Sequence, residues 1–407
     1  MSKPLILHCV DGLGIGGAEK ELLLLLRHSP PQMFDHVVCH VGPQDILASE
    51  VRALGIPVYD LSGGRRHSLR ALLRLLRLTR RLRPALIHAD HRYGKLYARM
   101  VSRGLGIPLL ATMGLTRPDA VQARLVPRTR AWRILFFAER IGARFGTDHT
   151  MAISQVIKDE LVRAGIPPGR ISVVYRGLNL DEFPLQPVQA LAALRGTLLA
   201  PQDGPILLNV ARLIPRKGQE TIIRAMPLIR RRHPRATLLL VGDGPSRVHY
   251  EALAAAEGVS DAVRFLGTRR DVPQLLRLAD VFVFPSLQEG TGVALLEAMA
   301  AARPCVVSDL PIFREVLAAD GAGRFVPTER PDLFAEALLA VLEDPAGAAL
   351  MGRRAREVME ARFDIRRNAT DFARLCHRVI AASHPRRSME AGPPAEGGGG
   401  ASQTMRV

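Results

Sequence analysis

Short apolar runs alternate with longer stretches of helical periodicity along nearly the whole chain, and that alternation limits the fold more than any other feature. Residues 5–10, 36–41, 57–59, 85–88, 109–112 and 150–153 read as short strands, apolar on both faces, with helical stretches such as 19–27 and 68–83 between them. Strands buried on both faces and separated by helices belong in a parallel, doubly wound sheet. The pattern loosens over 173–187, where Asp181-Glu182-Phe183-Pro184 reads as a linker, and a short amphipathic segment follows at 188–199. A second series then begins, with strands at 206–210, 237–241, 262–265, 281–284, 304–308 and 323–326. Its helices fit at 218–232, 248–257, 271–279, 292–301, 314–319 and 331–343. A chain of 407 residues is too long for one ordinary core. The expectation is α/β with two doubly wound domains, 1–187 and 188–363, and a last helix at 364–383. The tail 384–407, with GPPAEGGGGASQ, has too few large apolar groups to pack and is expected to be disordered.

A hydrophobic content of 47% and a charged content of 23% suit a globular protein, and no apolar run reaches the length of a membrane span. Met1-Ser2-Lys3-Pro4 leads straight into a strand, which argues against a signal peptide. Cys9, Cys39, Cys305 and Cys376 lack metal or disulfide spacing and read as buried reduced thiols, as in a cytosolic protein. Much of the net charge of +17 lies from Arg65 to Arg83, where Arg70, Arg74, Arg77 and Arg81 line one helical face. Leu69, Leu72, Leu73, Leu76 and Leu82 lie toward the other face. Two readings stand level: a helix on an anionic membrane surface, or a sheet-covering helix with an arginine-rich outer side. With 5% aromatic residues and no recognition module, nucleic acid is not an expected partner.

Chemistry gathers where strands end. After the apolar strand 281–284 comes Pro285-Ser286-Leu287-Gln288-Glu289-Gly290-Thr291-Gly292, and then a helix containing Glu297. Glycines let a backbone approach a ligand, and a helix start offers free N–H groups to an anion. With Glu289 in the loop and Glu297 some 7–8 Å along the helix, the pattern suits hydroxylated groups on either side of phosphates. Arg212 and Lys217, just past the strand 206–210, are two cations suited to a diphosphate. Gly242 lies in a further tight turn, Val241-Gly242-Asp243-Gly244-Pro245. The first domain opens with Gly12-Leu13-Gly14-Ile15-Gly16-Gly17 and has Asp35 further on. That pattern keeps an NAD-dependent oxidoreductase open as an alternative.

Taken in order, GGAE (Gly16 to Glu19), NVARLIPRKG (Asn209 to Gly218), VGDGP, RFLG (Arg264 to Gly267) and PSLQEGTGVALLEAMA resemble the family 4 glycosyltransferases. The likeness extends to about Ala382. It implies the GT-B architecture: two Rossmann-like domains facing across a cleft, with the last helix crossing back to the first. It also implies a retaining enzyme that moves a sugar from a nucleotide-diphosphate donor to a hydroxyl, with no obligatory metal. Arg212 and Lys217 match the pair that grips the diphosphate. Glu297 matches the acid on the ribose, and Glu289 the one on the transferred sugar. The backbone of Gly290, Thr291 and Gly292 would meet the phosphates. Gly16 and Gly17 would face the donor phosphates or the acceptor, and Leu266, in RFLG, falls where the base is held.

Two departures bear on the chemistry. The histidine common in the family after the strand at 109–112 is absent, and His88, Asp90 and His91 after the preceding strand offer a replacement, with His91 the catalytic candidate. The usual turn after Ser308 is replaced by Asp309-Leu310-Pro311-Ile312-Phe313-Arg314-Glu315, where Glu315 is the candidate for its acidic position. The expected protein is a cytoplasmic hexosyltransferase of polysaccharide, lipopolysaccharide or glycolipid synthesis, with a glycan or lipid-linked acceptor. Peripheral attachment to the inner face of the cell membrane is left open. The remaining alternative is a non-catalytic sugar-nucleotide or membrane-binding protein.

Overall fold

A computed structural model describes residues 3–14, 16–64, 68–114, 141–185, 190–198 and 204–390. Two parallel sheets are wound in the expected way. The first has the order β3-β2-β1-β4-β5-β6-β7, with β1 (Leu5–Val10), β2 (Asp35–His40), β3 (Val58–Asp60), β4 (Leu86–Ala89), β5 (Leu109–Met113), β6 (His149–Ala152) and β7 (Ile171–Val173). The second runs β10-β9-β8-β11-β12-β13, with β8 (Ile206–Val210), β9 (Thr237–Val241), β10 (Val263–Gly267), β11 (Val281–Phe284), β12 (Cys305–Ser308) and β13 (Arg324–Val326). Strand order reverses beside β1 in one sheet and beside β8 in the other. The crevice at the carboxyl ends of those strands is where such sheets bind ligands.

The central strands form as the composition dictates, because Leu207, Leu208, Leu239, Phe282 and Val306 have no solvent contact and need cover on both faces. β7, a strand the apolar pattern does not single out, ends where that pattern loosens and joins the edge of the first sheet. The helix Pro345–Arg362 was also missed. Its small residues give a weak apolar stripe, and Gly352 packs flush on the Ala302 carbonyl. The start signal was nevertheless in the sequence: Asp344 accepts from Gly347 N at 2.9 Å, with Pro345 in the first turn. The last helix, Ile365–Glu390, runs past His384, where the tail is expected to begin; residues 391–407 lie outside the described residues. Ile365, Phe372 and Cys376 of this helix pack against Ile6, Leu86 and Leu110 of the first sheet. All four cysteines are buried free thiols.

A polar chain crosses the first sheet beneath that helix. Ser29 Oγ meets His36 Nε2 at 3.0 Å, and His36 Nδ1 meets His8 Nε2 at 3.0 Å. His8 Nδ1 then meets His88 Nδ1 at 2.9 Å, and His88 Nε2 meets Thr112 Oγ1 at 2.8 Å. Burial holds all three imidazoles neutral. His8 lies well below the ordinary histidine range, pushed further by His88 and His36, while His36 and His88 are lowered to about 4.

The two domains are also latched at one side of the cleft. Glu315 accepts from the backbone N–H groups of Gln155 (2.6 Å) and Val156 (2.8 Å), at the start of the first-domain helix Gln155–Arg163. Arg362 braces this contact by donating to Glu315 O at 2.8 Å and to Tyr175 Oη at 2.9 Å. Glu315, the candidate for the acidic position of the replaced turn, places its carboxylate on a helix cap.

Candidate functional site

The carboxyl edge of the second sheet is built from loops that interlock through glycine. A side chain on Gly218 (φ 68°) would run into the Pro285 carbonyl, and one on Gly242 (φ 123°) into the Ala211 carbonyl. Only glycine lets the β8, β9 and β11 loops close on each other in this way. Gly242 thus serves a backbone approach within the domain, which accounts for it without a ligand. Lys217 ends the short turn Pro215–Lys217, and its Nζ forms an ion pair with Glu289. Ser286 Oγ donates to the same Glu289 oxygen at 2.9 Å. Lys217 also lies over the Phe284 ring, 5.5 Å from its centroid, and the Glu289 side chain is only 8% exposed. Arg212 is exposed and its guanidinium meets no partner among the described residues, so it stands free at the mouth.

Gly292 (φ 79°) starts the helix Val293–Ala300 with no side-chain cap, leaving its first N–H groups open. Thr291 beside it is buried, and its Oγ1 has no partner. Glu297, the fifth residue of the helix, is partly exposed, yet its carboxyl is pushed up to about 7. Burial does most of this, Lys20 from the first domain opposes it, and Glu182 adds to it. Leu266 lies in β10 at the rim and is partly exposed.

Gly17 opens the first-domain helix Gly17–His28 and faces this edge: a β-carbon there would lie 3.3 Å from Val293 Cγ2. Two helix starts therefore meet across the cleft. Gly290 abuts the carbonyl of Gly114, at 2.7 Å from where its β-carbon would sit, so it is a point of contact between domains. Glu19 folds back over Gly16 and reaches His91 Nε2 at 3.6 Å. His91 has φ 61° and ψ 176°, a region that is nearly glycine-only, and its Nδ1 is buried without a partner. Burial tends to raise the neighbouring Asp90, but His91, Lys95 and Arg176 together hold it below the ordinary aspartate range. The sequence reading missed Lys95, Arg176 and Glu21. Lys95 is buried with Nζ 2.9 Å from Met113 Sδ, and Arg176 pairs with Glu21. Lys95 lies four residues after His91, on the same helical face, which was the available signal.

The NAD alternative loses its acid here. Asp35 pairs in register with Leu5, at the amino end of β2, opposite the glycine turn that follows Val10. A carboxylate at that edge is out of reach of a ribose held at the other.

Two doubly wound domains, with helix starts, paired cations and acids converging on one cleft, define a nucleotide-binding enzyme of two lobes. The comparisons place it further. The profile described as Glycosyl transferases group 1 matches residues 192–358, and that of Glycosyltransferase Family 4 matches residues 15–182. Among curated relatives, the alpha-D-kanosaminyltransferase of Streptomyces kanamyceticus is 29% identical over 311 residues, covering 72% of this chain and 78% of the relative. The GDP-mannose-dependent alpha-(1-6)-phosphatidylinositol monomannoside mannosyltransferase of Mycolicibacterium smegmatis is 30% identical, covering 60% and 67% respectively. Among solved structures, Anabaena HepE in complex with UDP and glucose superposes with a TM-score of 0.79 at 20% identity, covering 91% of this chain and 99% of that one. The chain belongs to the family 4 glycosyltransferases and has their GT-B fold.

Proposed function

We propose that the protein transfers a hexose from a nucleoside-diphosphate sugar to a hydroxyl of a glycan or lipid-linked acceptor, with retention at the anomeric carbon. The observation that carries this reading is the meeting of the helix starts at Gly17 and Val293 beside Lys217, with Glu289 and Glu297 flanking them. A diphosphate suits the helix starts and cations, a ribose suits Glu297, and a sugar suits Glu289. In the step itself, the bond from the anomeric carbon to the phosphate oxygen breaks on the face where the acceptor oxygen bonds. The acceptor proton passes to the departing phosphate. Lys217, Arg212 and the helix starts would stabilise the charge that develops there, with no metal required. His91 takes the place of the family's absent first-domain histidine, a reading supported by its strained backbone and open Nδ1. The relatives named above support glycoconjugate synthesis as the setting.

The test is a thermal-shift screen of UDP-, GDP-, ADP- and CMP-sugars, followed by a transfer assay in EDTA with the sugar that stabilises the protein. Stabilisation by NAD alone, or nucleotide-sugar binding with neither transfer nor donor hydrolysis, would overturn the enzyme reading. Loss of transfer in EDTA would overturn the metal-free mechanism.

Membrane attachment belongs to the same proposal. The helix Leu69–Leu82 buries Ala71, Leu75, Leu78 and Thr79, so it does cover the sheet. Leu69 and Leu73, expected on the inner side, are instead 72% and 44% exposed beside exposed Arg70, Arg74, Arg77 and Arg81. Arg65 to His67 lie outside the described residues. Two outward leucines ringed by arginine suit an anionic lipid surface. Co-sedimentation with phosphatidylglycerol vesicles that is lost in the Leu69→Asp/Leu73→Asp double variant is the expected result.

A further inference from the structure

Arg176 has no task in the mechanism above, yet its surroundings are those of a binding group. It follows β7, is 15% exposed, and its Nε forms an ion pair with Glu21 Oε2 at 2.5 Å. A guanidinium has five N–H donors; Nε lies against Glu21 as an ion pair without a hydrogen bond, and the four donors on Nη1 and Nη2 make none among the described residues. Nη1 lies 3.5 Å from where a β-carbon on Gly17 would be, and Nη2 lies 3.7 Å from the same point on Gly114. Those two glycines are the first-domain positions that meet Val293 and Gly290 of the second domain. The open fork of Arg176 therefore stands at the seam between the lobes, beside both helix starts.

Two further groups at this seam lack something to bond. Thr291, between Gly290 and Gly292, is 2% exposed, and its Oγ1 has no partner. His91 Nδ1, on the first-domain side, is buried and likewise open. A planar fork beside the helix start at Gly17, facing a second uncapped helix start that carries an unpartnered hydroxyl, matches the donor set of a tetrahedral oxyanion. We propose that Arg176 binds a phosphoryl group in the cleft from the first-domain side, with Glu21 as the residue that positions it. Glu21, whose carboxyl burial raises to about 7 against the pull of Arg176, holds the guanidinium at Nε and fixes the fork while the cleft is empty. The phosphoryl group is the sugar-bearing phosphate of the donor or a phosphate on the acceptor, and the inference rests on the nucleotide-sugar reading.

Titration calorimetry of the wild type, Arg176→Gln and Arg176→Lys with UDP, GDP and ADP and with their monophosphates separates the cases. For a donor phosphate, Arg176→Gln lowers affinity for the preferred diphosphate about tenfold to a hundredfold, with the monophosphate within about twofold. Arg176→Lys then falls between. A merely structural role would weaken both nucleotides alike, and that outcome overturns the inference. For an acceptor phosphate, diphosphate affinity is kept, while stabilisation of the UDP- or GDP-saturated enzyme by inorganic phosphate is lost in Arg176→Gln. An unchanged variant in both assays also overturns the inference. A wild type that binds no nucleoside diphosphate fails at the earlier step and brings down the donor reading itself.

Discussion

The two lobes reach the same cleft with opposite chemistry. In the second, the walls are backbone closed on backbone at Gly218 and Gly242, and few charged groups stand in the opening, chiefly Lys217, Glu289 and free Arg212. In the first, the wall is a crowd of charged side chains: Glu19 with His91, Glu21 with Arg176, and Asp90 among cations. Their sheets differ in the same way. The first carries three histidines in its interior, whereas no histidine is buried in the second among the described residues. A wall of interlocked backbone holds one ligand in one geometry, as a donor common to many reactions would demand. A wall of paired charges can trade partners when a charged ligand enters.

Acid should separate the lobes most widely. His8, His36 and His88 are neutral in the folded state and titrate ordinarily when unfolded, so the unfolded chain binds more protons below the usual value of 6.5. Stability is therefore full above that pH and is lost as pH falls toward 4. The slope is about 1.4 kcal/mol per pH unit for each proton refused. Hydrogen exchange across this window should show β1, β2 and β4 losing protection before β8, β9 and β11. Equal loss in both sheets would erase the contrast.

On the donor side, Lys217→Ala is expected to lower turnover by about a hundredfold or more, since it removes a cation aimed at developing charge. The binding constant for the nucleotide product should change less. Turnover at the wild-type level would remove Lys217 from the mechanism. For the first lobe, His91→Gly relieves a backbone strain of about 1–3 kcal/mol and should raise the melting temperature while lowering transfer. A variant that is both more stable and fully active would make His91 a structural residue.

Glu297 gives the smallest effect. Glu297→Gln should weaken nucleotide binding about tenfold by removing the charge that accepts from ribose hydroxyls. Because its carboxyl titrates at about 7, wild-type affinity should climb as pH rises through neutrality and then level off, with no such climb in the glutamine variant. A pH profile shared by the two proteins would assign the titration to another group.

Much of the fold was open to reading because strands covered on both faces must be apolar throughout, and β1, β8, β9 and β11 have the bounds their apolar runs predict. Pro345–Arg362 escaped because alanine and arginine leave little periodic contrast, and β7 because three residues are too few for a pattern. The donor-side residues lie within two short segments, so local spacing could bring them to notice. Arg176 and Glu21 are far apart in sequence and meet only through the winding of the sheet, and Lys95 needed β5 overhead to show what it touches. His91 looked like any strand-end histidine until its backbone angles set it apart.

The latch at Glu315 has a kinetic consequence. When the lobes part, the N–H groups of Gln155 and Val156 lose their carboxylate together, and only water can replace it. The closed cleft is thus a resting state with its own return force, and admitting substrate or discharging product means working against it. Where opening against that force limits turnover, solvent viscosity slows it, whereas a chemical step alone would be indifferent.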